Sequence, residues 1–231
     1  MLINFINKPI YNKPAFQARI ATPKNLSKEI RTEILNGNIS EHFVPTPEKI
    51  VSLMIHELGE VKASDKVLEP SAGYGHIAEV LVKKTPLTPN KIDVIEPLEP
   101  FRKVLHQKGF NLVGYNILDY KPNVQYDKII MNPPFDNGAD ILHTLHCYSL
   151  LKSKGKLVAI LPENDFIPPR KSGYEKWRRD WLNNGEVKEI NEYLHNLLET
   201  NESKVIKLED VFKTSDVPDD VKTRLVVITK K

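Results

Sequence analysis

A single cysteine, Cys147, stands among 231 residues, so no disulfide can close within the chain and no thiolate cluster can hold zinc or an iron–sulfur centre. A reducing, cytoplasmic setting fits that scarcity. No apolar run approaches the roughly 20 residues needed to cross a bilayer, and Asn4, Asn7, Lys8 and Pro9 interrupt any signal-peptide core, so no membrane partner is expected. A nucleophile elbow and a phosphate-binding P-loop are missing as well. The dinucleotide fingerprint lacks its third glycine, because Ala78 follows where that glycine would stand. His143 and His146 lie three apart beside Cys147, a spacing able to ligate a metal, but no third ligand motif joins them. They are read as one face of a helix, and no metal is expected.

At 40% hydrophobic residues the chain can bury one sizeable core. Its net charge of +3 is small but unevenly distributed. Residues 1–40 form a basic arm with six lysines and arginines against Glu29 and Glu33, ending in a short helix from Ser27 to Leu35. Residues 166–185 carry Arg170, Lys171, Lys176, Arg178 and Arg179 against Glu175 and Asp180, with Tyr174, Trp177 and Trp181 interleaved. Such a mixture suits phosphates and exposed bases. The competing reading, preferred for the tryptophans, is that Trp177 and Trp181 are the buried stripe of a helix with a solvated charged face.

Thr46 as N-cap and Pro47 at the first helical position introduce an apolar face of Ile50, Val51, Met54, Ile55 and Leu58. From Lys66 short apolar strands alternate with helical segments, the pattern of a parallel sheet with crossover helices. Strands are expected at Val67-Leu68, Ile92 to Ile95, Leu112-Val113, Ile129 to Met131 and Leu157 to Leu161. Val205 to Leu208 and Leu225 to Ile228 close the set. Helices are expected from Gly75 to Lys84, through Phe101, Val104 and Leu105, through Ile141, Leu145 and Tyr148, and from Tyr174 to Asn183.

Two stretches carry chemistry. Glu69-Pro70-Ser71-Ala72-Gly73-Tyr74-Gly75 lies where the first strand hands over to a helix, the place where open α/β sheets bind ligands. Its glycines admit a close backbone approach, and the helix start favours a carboxylate. Glu96 ends the second strand, where an acidic side chain can accept hydrogen bonds from ribose hydroxyls; capping the helix begun at Pro97 is its rival role. The second stretch is Asn132-Pro133-Pro134-Phe135, at the end of the fourth strand. Asparagine offers a carbonyl, the prolines fix the backbone and remove two donors, and phenylalanine supplies a flat face. Together they can grip the amino group of adenine, cytosine or glutamine. Alone, they fit a Pro-Pro turn with a buried phenylalanine equally well.

In this order the motifs resemble the S-adenosylmethionine-dependent amino-methyltransferases, and within them the N6-adenine DNA methyltransferases of the gamma order, from about Phe43 to the C-terminus. The resemblance implies a Rossmann-like class I methyltransferase fold: a seven-stranded, mostly parallel sheet with one antiparallel strand. His42 to Pro47 is similar to the family's Thr-Pro motif, which implies that Thr46 lies by the cofactor carboxylate. Ser71, Gly73 and Gly75 with Glu69 match the methionine-cofactor loop, and Asn116-Ile117-Leu118-Asp119 matches the motif whose aspartate pairs with the cofactor adenine. Val211-Phe212 with Thr223 to Val227 resembles the motif whose aromatic stacks on the target base. Asp119 as a turn residue and Phe212 as plain core are the alternatives.

The resemblance therefore implies a catalytic domain over residues 41–231, with an insertion at about 163–203 and no separate target-recognition domain. Asn132 and Pro133 would hold the amine, Pro134 would stiffen the turn, and Phe135 would stack on the base. Phe212, Arg170, Lys171 and Arg178 are the expected substrate contacts. S-adenosylmethionine is the expected cofactor, and DNA with a flipped adenine the expected partner. An RNA adenine or a protein glutamine is the alternative substrate, and a catalytically silent nucleic-acid-binding protein is the alternative of another class. The sequence leaves the oligomeric state open, a monomer being the simplest form.

Overall fold

The structure, a computed structural model, describes residues 45–135, 139–163, 185–208 and 222–231. The basic arm, the expected Ser27–Leu35 and Tyr174–Asn183 helices, and Arg170, Lys171, Arg178 and Phe212 lie outside the described residues.

Helix α1 (Glu48–Leu58) precedes strand β1 (Val67–Glu69), and α2 (His76–Lys84) leads to β2 (Ile92–Ile95). Then come α3 (Glu99–Gln107), β3 (Asn111–Gly114), β4 (Tyr126–Met131), α4 (Ala139–Ser149) and β5 (Leu151–Pro162). Helix α5 (Gly185–Thr200), β6 (Glu202–Leu208) and β7 (Thr223–Thr229) complete the order. The strands form one seven-stranded sheet ordered β3-β2-β1-β4-β5-β7-β6, in which β7 alone runs antiparallel to its neighbours. This is the class I methyltransferase arrangement expected from the motifs.

Side chains alternate across the sheet and so build two cores. Val67, Val94, Ile130 and Val158 face α1, α2 and α3, while Leu68, Ile129, Leu157 and Ile228 face α4 and α5. Burial on both sides explains why the central strands are mostly apolar, with Leu157 to Leu161 of β5 an unbroken run and Asp93 a buried exception in β2. Strand β5 begins six residues earlier than its apolar run, because Lys152 to Lys156 continue the pairing through an irregular register with β4. The segment read as an insertion contains α5, whose Leu194 and Leu197 are buried in the second core. Its spacing Ile190, Leu194, Leu197, Leu198 is the helical signal that marks it.

The strand order reverses between β1 and β4, the switch point at which open α/β sheets form their ligand crevice beyond the carboxyl ends of the strands. Counting on from the paired residues Leu68 and Ile129 brings Ser71 level with Asn132. Both chemical motifs therefore converge on the switch point.

Candidate active site

The turn from β1 into α2 is fixed from several sides. Gly73 and Gly75 adopt positive φ of 53° and 89°, which side-chain-bearing residues seldom do. A Cβ on Gly75 would stand 2.8 Å from Leu105 Cδ2 and 3.1 Å from the Phe110 ring, so this glycine answers to packing as well as to conformation. Lys108 Nζ donates to the Tyr74 carbonyl at 2.8 Å and pairs with Glu79 at 3.1 Å. No sequence motif announces Lys108, which reaches the turn from the end of α3.

Glu69 is buried, and its Oε2 accepts the Ala78 N–H at 2.9 Å, one of the unpaired donors in the first turn of α2. Burial pushes its pKa well above the carboxylate range, with the nearby Glu96 acting in the same direction. In this structure Glu69 braces the turn against the helix.

Glu96, 5% exposed, accepts the Gly73 N–H on Oε2 and the Leu98 N–H on Oε1, both at 2.8 Å. It thus holds the bend at Leu98 and ties the ends of β1 and β2 together; the helix expected from Pro97 starts at Glu99, with Leu98 as its N-cap and no side chain capping it. Desolvation outweighs these bonds and raises its pKa to about 7. Asp119 closes a short 3-10 turn (Ile117–Asp119) after β3. It is exposed at the rim, its Oδ2 accepting from Asn116 Nδ2 at 2.9 Å, while Asn116 Oδ1 caps the Leu118 N–H.

At the end of β4, Pro133 is buried, Pro134 is exposed, and Phe135 is half-buried against the α1–α2 core. Asn132 Nδ2 donates to Thr46 Oγ1 at 3.1 Å, and Asn132 Oδ1 is buried without a hydrogen-bond partner. Ser71 Oγ is a second buried polar atom without one. Thr46 is not the N-cap expected from the sequence. Pro47 occupies that position, no side chain caps α1, and the threonine hydroxyl turns to the asparagine instead.

Away from the crevice, His146 Nε2 bonds the Tyr120 carbonyl at 2.9 Å, and Cys147 is buried, which pushes its thiol pKa up. Among the described residues no group of three or more His, Cys, Asp or Glu is placed to hold a metal. Nor is any described helix long and apolar enough to cross a membrane.

The model of the methyltransferase small domain matches residues 49–170, just over half of the chain. No curated protein matches. Many solved structures share the fold. The M protein of the type I restriction enzyme EcoKI superposes with a TM-score of 0.57 at 14% identity, over 82% of this chain and 44% of its own. Phosphoethanolamine N-methyltransferase 2 from Haemonchus contortus, solved with S-adenosyl-L-methionine, gives 0.55 at 12% identity, over 90% of this chain and 61% of its own. A Listeria monocytogenes protein assigned to the class I S-adenosylmethionine-dependent methyltransferases gives 0.53 at 13%, over 90% of this chain and 69% of its own. The chain thus spans between about two fifths and two thirds of these neighbours, and the likeness is one of fold.

Proposed function

The chain belongs to the methyltransferase small domain family, and from that premise we propose that it methylates an amino nitrogen, the N6 of adenine in DNA, with S-adenosylmethionine as donor. One observation carries this reading: the buried, unpartnered Asn132 Oδ1 at the switch point. Leaving a buried carbonyl unpaired costs about 1–3 kcal/mol, so an acceptor kept there is suited to a donor that arrives with the substrate.

The donor molecule fits the residues present. Ser71 Oγ offers a buried unpaired group, Gly73 a turn that lets backbone approach, and Glu96 a carboxylate for ribose hydroxyls, with Asp119 at the rim for the adenine amine. When bound, S-adenosylmethionine would supply an electrophilic sulfonium methyl to the amine nitrogen, the carbon–sulfur electron pair would stay on the departing sulfur, and the amine proton would pass to water.

An aromatic amine is a poor nucleophile because its lone pair is delocalised into the ring. Asn132 Oδ1 and the Pro133 carbonyl accept its two N–H bonds, which lets the nitrogen pyramidalise and aims its lone pair. The same acceptors gain strength as positive charge develops on nitrogen, so no strong base is needed. Phe135 supplies one stacking face and Phe212 the other, with Arg170, Lys171 and Arg178 on the phosphates. A duplex adenine must be flipped out to reach this site. A restriction-enzyme M protein and a phosphoethanolamine N-methyltransferase share this fold alike, so the choice of a nucleic-acid substrate rests on the Asn132 to Phe135 motif.

Incubating the wild type and Asn132→Ala with tritiated S-adenosylmethionine and unmethylated DNA, RNA and protein pools tests the proposal. The expected result is label on DNA that falls by roughly 10²–10³-fold in the variant. Undiminished label in Asn132→Ala overturns the mechanism, and label confined to RNA or protein overturns the substrate.

A further inference from the structure

Resting on that reading of Asn132, we infer that Thr46 is a positioning residue that sets the reactive amide. Thr46 is 3% exposed and stands two residues before α1, where a threonine ordinarily bonds the first turn of its own helix. Here it does not. Pro47 takes the cap position, its carbonyl accepting from Ile50 and Val51, and Thr46 Oγ1 accepts from Asn132 Nδ2 across 86 positions of sequence. Helix α1 is held rigidly by Ile50, Val51, Met54 and Leu58 in the core, so the hydroxyl has a fixed place.

The need for such a pin follows from asparagine itself. Its terminal torsion is broad, and one end of the amide donates while the other accepts. A substrate amine is a donor, so an amide turned the wrong way presents N–H to N–H. The hydroxyl can pair with either end of the amide, so it anchors the group in place, and the donor amine then selects the orientation with Oδ1 outward. The sequence motif around Thr46 thus acts on the target amine through Asn132, in addition to any part it has in cofactor binding.

Thr46→Val keeps the shape and removes the hydroxyl, whereas Thr46→Ser keeps the hydroxyl. Three measurements apply to each: single-turnover methylation of unmethylated DNA at saturating donor, calorimetric affinity for S-adenosylhomocysteine, and the side-chain amide resonances of ¹⁵N-labelled Asn132. In Thr46→Val the rate at saturating donor falls by roughly 10–100-fold, well beyond any loss of S-adenosylhomocysteine affinity, and the Asn132 amide moves towards solvent-like shifts. Thr46→Ser restores both rate and resonances. A Thr46→Val enzyme with the wild-type rate and amide, or one whose rate loss is wholly matched by lost affinity, overturns the inference. The resonances decide even if no DNA is methylated: a displaced amide in Thr46→Val then supports the pin while the substrate reading fails, and an unmoved one overturns the pin.

Discussion

Glu96 accepts a backbone N–H on each carboxylate oxygen, yet burial lifts its pKa to about 7. Ribose hydroxyls donate hydrogen bonds and so favour the ionised form. Affinity for S-adenosylhomocysteine should therefore rise as pH increases through 7, and Glu96→Gln should flatten the profile; titration calorimetry from pH 6 to 8 checks this. An unchanged slope in the variant would place the titrating group elsewhere. Ser71 gives a contrasting expectation. Its hydroxyl is buried without a partner, so Ser71→Ala should leave thermal stability unchanged or slightly higher, while weakening S-adenosylhomocysteine binding. The position of Glu96 was legible in its distance from Gly75. Its bonds to Gly73 and Leu98 were not, because sequence spacing does not say which backbone donors a buried carboxylate finds. The same holds for Thr46, whose local pattern announces a helix cap and whose hydroxyl instead bonds Asn132, just past the end of β4.

The elements around the crevice are held by contacts that a point change can break selectively. Gly75→Ala would combine a φ of 89° with a Cβ 2.8 Å from Leu105 Cδ2. A loss of about 2–4 kcal/mol in denaturant unfolding is expected, with the strain at the first turn of α2. Beneath β2 and β4, Tyr126 donates to Asp93 Oδ2 at 2.8 Å, Tyr120 lies 2.7 Å from the Tyr126 hydroxyl, and Asn111 donates to Asp93 Oδ1 at 2.6 Å. This chain, centred on the buried Asp93 and Tyr126, ties β2 and β3 to β4 and to the turn bearing Asp119. Tyr126→Phe should cost about 1–3 kcal/mol, because it strips a buried carboxylate of a donor; a smaller loss would mean that Asp93 finds another partner. Strands β1, β2 and β4 were legible because burial on both faces leaves them mostly apolar, as at Val67-Leu68, Val94-Ile95 and Ile129 to Met131. The start of β5 was hidden by Lys152 to Lys156, whose pairing owes nothing to their hydrophobicity. Helix α5 carries a readable apolar period in a polar neighbourhood.

Across the whole molecule, two carboxylates at the ends of β1 and β2 share one burial and have raised pKa values. A raised folded-state pKa stabilises below the unfolded value of 4.5, and that contribution is lost as pH rises through about 7 for Glu96. The full loss is about 3 kcal/mol. His76, His143 and His146 act in the opposite sense, since burial lowers their pKa values, that of His143 to about 3. The share of Glu96 is therefore read as a difference: between pH 5 and 8, wild type should lose stability relative to Glu96→Gln, by chemical denaturation at each pH. A constant difference would contradict the assigned burial. The fold places these groups, the asparagine amide and the Ser71 hydroxyl at one switch point, and the order of the motifs along the chain already implied that convergence. The most direct test of the central claim is mass detection of N6-methyldeoxyadenosine in nucleosides digested from unmethylated DNA after incubation with S-adenosylmethionine. The account predicts that product with wild type and its near absence with Asn132→Ala; equal product from both, or none from either alongside methylation of another polymer, would contradict it.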